Sequence, residues 1–290
     1  MQFALSFIPR TSVVITLRQS ANILLFAASV VFCAACGFDL RLPGSDETAD
    51  IEVMRFDRLE SRYLQNGDFS ALQQMETDYP METRTLIEDI LRIGTVEDQD
   101  INSKFLAFYQ DSVLQTLISD AETEYASMDD ISRRLTEVFR RLRSHVPTID
   151  VPRVYAQITA LDQSILIDDR SIAISIEKYL GEDYALYERY YSPEQRKGMS
   201  RSNIVPDCVC FYLMSLYPLD DFEKTSQQER DIHVGKIMWV CNEVLGEEVF
   251  RSKYVDIIAA YVELNDEATV ADLLALTDYS PLLRLLDGQQ

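Results

Sequence analysis

Apolar residues change their spacing along this chain, and each change predicts a different element. The first is a continuous run, Asn22–Phe32, shorter than the roughly 20 residues that cross a bilayer and suited to the apolar centre of a signal peptide. From Gly37 to Asp50 periodicity is lost among Pro43, Gly44, Ser45, Asp46, Glu47 and Thr48, which predicts a tether. Ile51, Val53 and Phe56 alternate loosely, and helical spacing then runs through the 60s and 70s until Tyr79-Pro80. Helices are predicted over Ser103 to Thr116 and Asp129 to Arg143. In the second, Ile131, Leu135, Val138, Phe139 and Leu142 share a face and Asp129 or Asp130 supplies the cap.

Beyond Pro147 and Pro152 the period shortens. Arg153 to Ala160, Ser164 to Asp168 and Ser171 to Ile176 are rich in Val and Ile and predict a small meander of strands. A helix through Glu177 to Leu180 should stop at Gly181. Later helices are expected at Ile204 to Tyr212, along the stripe Val234, Ile237, Met238, Cys241, Val244 and Leu245, and over Arg251 to Leu264, Val270 to Leu276 and Pro281 to Leu286. The fold class is α+β: a predominantly helical single domain over residues 51–290, with its small sheet near residues 153–176.

The apolar run ends in Cys33-Ala34-Ala35-Cys36-Gly37, with Arg10 and Arg18 ahead of it. Small residues before Cys36 and Gly after it suit a peptidase that cleaves in front of a lipidated cysteine. Residues 1–35 then read as a lipoprotein signal peptide and 36–50 as the lipidated tether. An uncut N-terminal anchor and an ordinary secretory signal are the alternatives, although the latter has no need of Cys36. The lipid would bring two or more acyl chains, enough for stable membrane anchoring.

Charge narrows the partners. The chain has 48 acidic against 27 basic residues, net −21, which argues against nucleic acid and against anionic lipid heads as ligands of the body. Within that acidic background Arg133, Arg134, Arg140, Arg141 and Arg143 crowd one helix. They form either a solvated face near a helix C-terminus or a docking face for an acidic partner. Tyr184, Tyr187, Tyr190 and Tyr191 crowd another predicted helix, where they either pack half-buried or line a groove for an extended peptide or glycan. Asp168 and Asp169 read as turn formers rather than an acid-base pair.

No recognisable catalytic set is present, and neither Gly-x-Ser-x-Gly nor Gly-x-Gly-x-x-Gly occurs. His145 and His233 are the two histidines and lie far apart, so a His-Glu-x-x-His zinc site is excluded. Cys208 and Cys210 fall about 200° apart on a helix and cannot grip one ion together. No metal and no cofactor are expected. His233 and Trp239 read as helix-boundary packing. Cys241 could bridge to Cys208 or Cys210, or all three could stay reduced and buried.

The series Ile51-Glu52-Val53-x-Arg55-Phe56-Asp57, Tyr79-Pro80, Leu135-x3-Phe139-x2-Leu142-x4-Pro147-x4-Pro152-x-Val154, Asp168-Asp169, Ile174 and Tyr179-Leu180-Gly181-x-Asp183-x3-Tyr187 resembles the gliding-motility lipoprotein B family of Bacteroidota, over roughly residues 36–215. The resemblance implies a non-enzymatic, lipid-anchored accessory of the gliding-motility and secretion machinery of the cell envelope, with other envelope proteins as partners. It implies attachment to the cell membrane or outer membrane. Because Gly37-Phe38-Asp39-Leu40 lacks the acidic run that often accompanies surface export, the body should face the periplasm. The family is also distantly similar to zincin-like peptidases, so the alternative is a degenerate metallopeptidase-like fold with peptide binding or residual hydrolase activity.

Overall fold

Four strands, Val53–Arg55 (β1), Arg153–Gln157 (β2), Ile165–Asp168 (β3) and Ser171–Ser175 (β4), form one sheet in the order β1-β2-β4-β3. They belong to a computed structural model that describes residues 50–168 and 170–288. The signal peptide, Cys36, the tether as far as residue 49, and Asp169 lie outside the described residues. The expected meander is corrected: β1 and β2 are parallel, β2 and β4 are parallel, and only β3 and β4 are antiparallel. Burial explains the order. Val154, Tyr155 and Ala156 of β2 and Ile172, Ala173 and Ile174 of β4 are all buried, so the two strands with no polar face take the centre of the sheet. Register follows, with Val154 opposite Ile172 and Ala156 opposite Ile174.

The helices before β2 are Phe56–Asn66 (α1), Phe69–Asp78 (α2), Pro80–Arg84 (α3), Ile101–Phe108 (α4), Ser112–Glu124 (α5) and Asp129–His145 (α6), with a π-helical turn over Thr85–Ile90. α1 ends at Gly67 in the left-handed region, φ 64°, and Asp68 caps α2 by accepting from the Ser70 and Ala71 amides. The single helix expected over Ser103 to Thr116 is two. Tyr109 is drawn into the core, its hydroxyl donating to Ile158 O at 2.9 Å, and Asp111 then caps α5. α6 buries the whole expected stripe, but its N-cap is Met128, while Asp130 binds Arg201. α6 also covers the free edge of the sheet: the Ile51 and Val53 amides donate to Thr136 Oγ1 (2.8 Å) and Ser132 Oγ (3.1 Å).

After β4 come Pro193–Arg196 (α7), Ile204–Leu216 (α8), Gln227–Leu245 (α9), Lys253–Glu263 (α10), Val270–Ala275 (α11) and Ser280–Gly288 (α12). The helix expected over Glu177 to Leu180 is one 3-10 turn, Ile176–Lys178. α8 and α9 bring Cys208, Val209, Leu213, Ile237, Val240 and Val244 into the main core. α9 and α10 meet where only glycine fits, because a Cβ on Gly235 would sit 2.5 Å from Tyr254 Cβ. A second apolar cluster, including Ile232, Ile257, Ile258, Tyr279 and Leu282, joins the start of α9 to α10 and α12. Among the described residues no helix is long and apolar enough to cross a membrane.

Candidate functional site

The arginine helix divides into inward and outward residues. α9 ends with orphan carbonyls, and α6 satisfies them: Arg134 donates to Leu245 O at 2.7 Å, and Arg141 donates to Leu245 O at 3.0 Å and Val244 O at 3.4 Å. Glu137 and Glu247 complete these pairs. Arg134 and Arg141 therefore tie α6 to α9. Arg133 and Arg140 are exposed and line a shallow hollow of about 480 Å³ with Asp129 and Glu137, and Arg140 reaches Asp50 at 3.7 Å.

The tyrosine segment is not the helix its spacing suggests. It is a run of turns with one 3-10 turn at Tyr187–Arg189, in which three of the four hydroxyls, those of Tyr184, Tyr187 and Tyr191, find fixed partners in the body. Tyr184 donates to Asp120 Oδ2 at 2.7 Å. Tyr187 is wholly buried, donates to Glu177 O and accepts from the Leu180 amide at 3.0 Å, so it anchors the segment and offers no surface. Tyr191 donates to Leu161 O at 3.1 Å and accepts from Lys178 Nζ at 2.8 Å.

What remains outside is a groove. One hollow of about 570 Å³ is lined by Phe108, Val113, Leu161, Leu186, Tyr190 and Tyr191 among others, and a second of about 370 Å³ shares Val113 and Leu186 and adds Tyr184. Tyr190 is 64% exposed and Phe108 38%, so two rings stand at its rim. The wall at Ala160 and Leu161 is strained, with φ of 53° and 68° in two consecutive residues that are not glycine.

Buried carboxylates hold that wall. Glu177 Oε1 accepts from Thr159 N (2.8 Å), Thr159 Oγ1 (2.9 Å) and Leu161 N (3.1 Å). Glu60 Oε2 accepts from Ile158 N at 2.8 Å. Both acids are fully buried. Burial raises both pKa values, and the Asp57 and Glu177 carboxylates raise Glu60 further. Having no exposed atom in the groove, they fix its shape and do not meet a ligand. Sequence reasoning missed Glu60, Glu177 and the Ala160-Leu161 strain. The one available signal was an acid placed directly after the buried run Ile172–Ile176.

Elsewhere, Cys208, Cys210 and Cys241 are buried and unbridged, with the Cys210 and Cys241 thiols in hydrogen-bond contact. Asp207 accepts from Tyr179 at 2.8 Å, and burial pushes its carboxyl up to about 6. Among the described residues no group of three or more His, Cys, Asp or Glu is placed to hold a metal ion.

A mainly helical α+β body with a preformed aromatic groove is thus the framework on which any activity must be built. The chain belongs to the family of gliding motility protein GldB, a lipoprotein family whose model matches residues 43–253. The match runs through α9 into the start of α10, past the stretch that carries the resemblance in sequence. No curated protein and no solved structure matches the chain.

Proposed function

We propose that this protein is a non-enzymatic, lipid-anchored accessory of the gliding-motility and secretion machinery, and that it holds an apolar segment of another envelope protein in the groove between α5 and Tyr184–Tyr191. One observation carries the reading. The hydroxyls of Tyr184 and Tyr191, whose rings line the groove, are engaged within the body, and buried Tyr187 anchors the segment between them, so the groove offers fixed ring faces and aliphatic walls. Fixed rings lose little entropy on binding, which is what a docking surface needs and what acid-base chemistry does not require. Anchoring at Cys36, with the body facing the periplasm of the cell membrane or outer membrane, would keep the groove beside its partner.

The double substitution Tyr190→Ala with Phe108→Ala tests this. Both rings are exposed at the rim, so stability should move by no more than about 1 kcal/mol. Envelope proteins that copurify with the wild type from detergent-solubilised membranes should be lost, with slowed gliding and retained cargo at normal protein abundance. Undiminished copurification and normal movement in the double variant would sink the groove reading. In parallel, radiolabelled fatty acid should track with the wild type and vanish in Cys36→Ser; equal labelling would remove the anchor.

A further inference from the structure

Behind the Ala160-Leu161 wall, three buried oxygens have no donor. Glu60 Oε1, Gln157 Oε1 and Glu177 Oε2 find no hydrogen-bond partner among the described residues, and all three residues are 0% exposed. They share one face of the sheet. The Phe56 ring meets the Tyr155 ring edge-on at 6.2 Å, so α1 lies over the face that carries Tyr155 and, two residues on, Gln157. Glu60 is one helical turn beyond Phe56 and reaches the end of β2, where its Oε2 accepts from Ile158 N. The register sets Ser175 of β4 opposite Gln157, whose Nε2 donates to Ser175 Oγ at 3.4 Å. Two residues further along both strands, Glu177 Oε1 accepts from Thr159. The two acids therefore hold consecutive amides, Ile158 N and Thr159 N, with Gln157 beside them, and the charge of Glu177 acts on Glu60.

No protein cation answers these acids. Arg55 pairs with Asp57 at 2.7 Å, Arg58 pairs with Glu122 at 2.9 Å, and Lys178 donates to Leu161 O and Tyr191 Oη. Tyr109, which also reaches this place, gives its proton to Ile158 O. Among the described residues neither Glu60 nor Glu177 forms an ion pair. The fold uses one oxygen of each carboxylate, Oε2 of Glu60 and Oε1 of Glu177, to hold backbone amides, and the other oxygen of each stays free. Carboxylate and carboxamide oxygens only accept, so what these three lack is a positive centre. Buried charges are paired or coordinate a metal.

We propose that Glu60, Gln157 and Glu177 bind one calcium ion through these three free oxygens. The donor set selects the class: oxygen ligands suit hard cations, whereas zinc and copper seek imidazole and thiolate. Charge selects the valence, because two carboxylates balance a divalent ion. Burial selects between the hard divalent ions. Magnesium demands a near-ideal octahedron and keeps several waters, while calcium accepts carboxylate and amide oxygens in irregular geometry. The hydroxyls of Thr159 and Ser175, also buried and bonded to Glu177 and Gln157, add neutral oxygens beside the set. The ion joins α1, β2 and the segment after β4 behind the wall. The inference does not depend on what the groove holds.

Calorimetric titration of the EDTA-stripped full chain in detergent with calcium chloride, at neutral pH and about 150 mM potassium chloride, tests it. One saturable site is expected, with magnesium chloride at least about tenfold weaker. Glu60→Gln and Glu177→Gln each keep a carbonyl oxygen for the backbone amides, so both should melt near wild type in EDTA, while calcium binds each at least about tenfold more weakly. An acidic surface also adsorbs calcium, so a readout that needs no variant goes with them. Amide hydrogen exchange over residues 157–161 should slow at least about tenfold in calcium and stay unchanged in magnesium. No saturable heat up to about 10 mM calcium would overturn the assignment and leave protons or internal water on these oxygens. Wild-type affinity in both Gln variants would overturn it in favour of surface acids, and an equal response to magnesium, or exchange over 157–161 unmoved by calcium, would overturn it as well.

Discussion

Replacing Glu177 by Ala should be among the most damaging single changes to the groove, and its size can be worked from the hydrogen bonds. Oε1 serves three donors, of which Thr159 Oγ1 has a second acceptor in Gln163 O at 3.3 Å. The buried Thr159 amide would then be left without a partner, at about 1–3 kcal/mol, and the half-buried Leu161 amide would be left to water, at less. The positive-φ pair Ala160-Leu161 would also lose what holds it, so a loss of about 3 kcal/mol is expected. For a body of this size that corresponds to a drop of roughly 10 °C in melting temperature. Glu177→Gln keeps a carbonyl oxygen for the same donors and should stay within about 1 kcal/mol of wild type. Thermal melts followed by circular dichroism compare the three proteins. If the Ala variant melts with the wild type, or the Gln variant falls as far as the Ala variant, then Glu177 does not hold the loop in this way.

Gly235→Ala should destabilise by about 2 kcal/mol through the Tyr254 clash, opposite in sign to the gain of about 1 kcal/mol that Ala gives an unobstructed helix, and urea midpoints read the sign directly. Arg134→Glu should cost about 1–2 kcal/mol by uncapping α9, whereas Arg133→Glu with Arg140→Glu should cost under about 1 kcal/mol; the outer pair is therefore the clean test of whether this face docks a partner. Burial, and then the Lys236 charge, hold His233 at about 4, so the unfolded chain takes up that proton first. The contribution of His233 is complete above about pH 6.5 and is lost as pH falls toward 4. Urea midpoints across that window should fall less steeply in His233→Gln than in wild type.

The amphipathic α6 is readable in sequence because one face meets the core and the other meets water or α9. The buried central strands are readable for a similar local reason, whereas the break at Gly67-Asp68, which divides the helical run expected through the 60s and 70s into α1 and α2, is not. Strand order is not, since it depends on which strands can bury both faces, and β1 joins the sheet from about a hundred residues away. The tyrosines mislead because their spacing fits a helix while their hydroxyls bind Asp120, Glu177 O and Leu161 O. Glu177 and Lys236 are invisible for a different reason. A charged residue declares burial only through its partners, and those lie 16–18 residues away for Glu177 and about 40 for Lys236.

The family match stops at residue 253, yet α9 packs against apolar neighbours on both sides, and those on one side come from residues 257 to 286. The span the family model matches and the span that closes on itself are therefore different lengths of chain. A fragment cut at the family boundary would bare Ile232, strip Tyr279 from His233 and Lys236, and leave a buried ammonium facing water. The last three helices, α10 to α12, complete a spine that the shared part of the chain only begins.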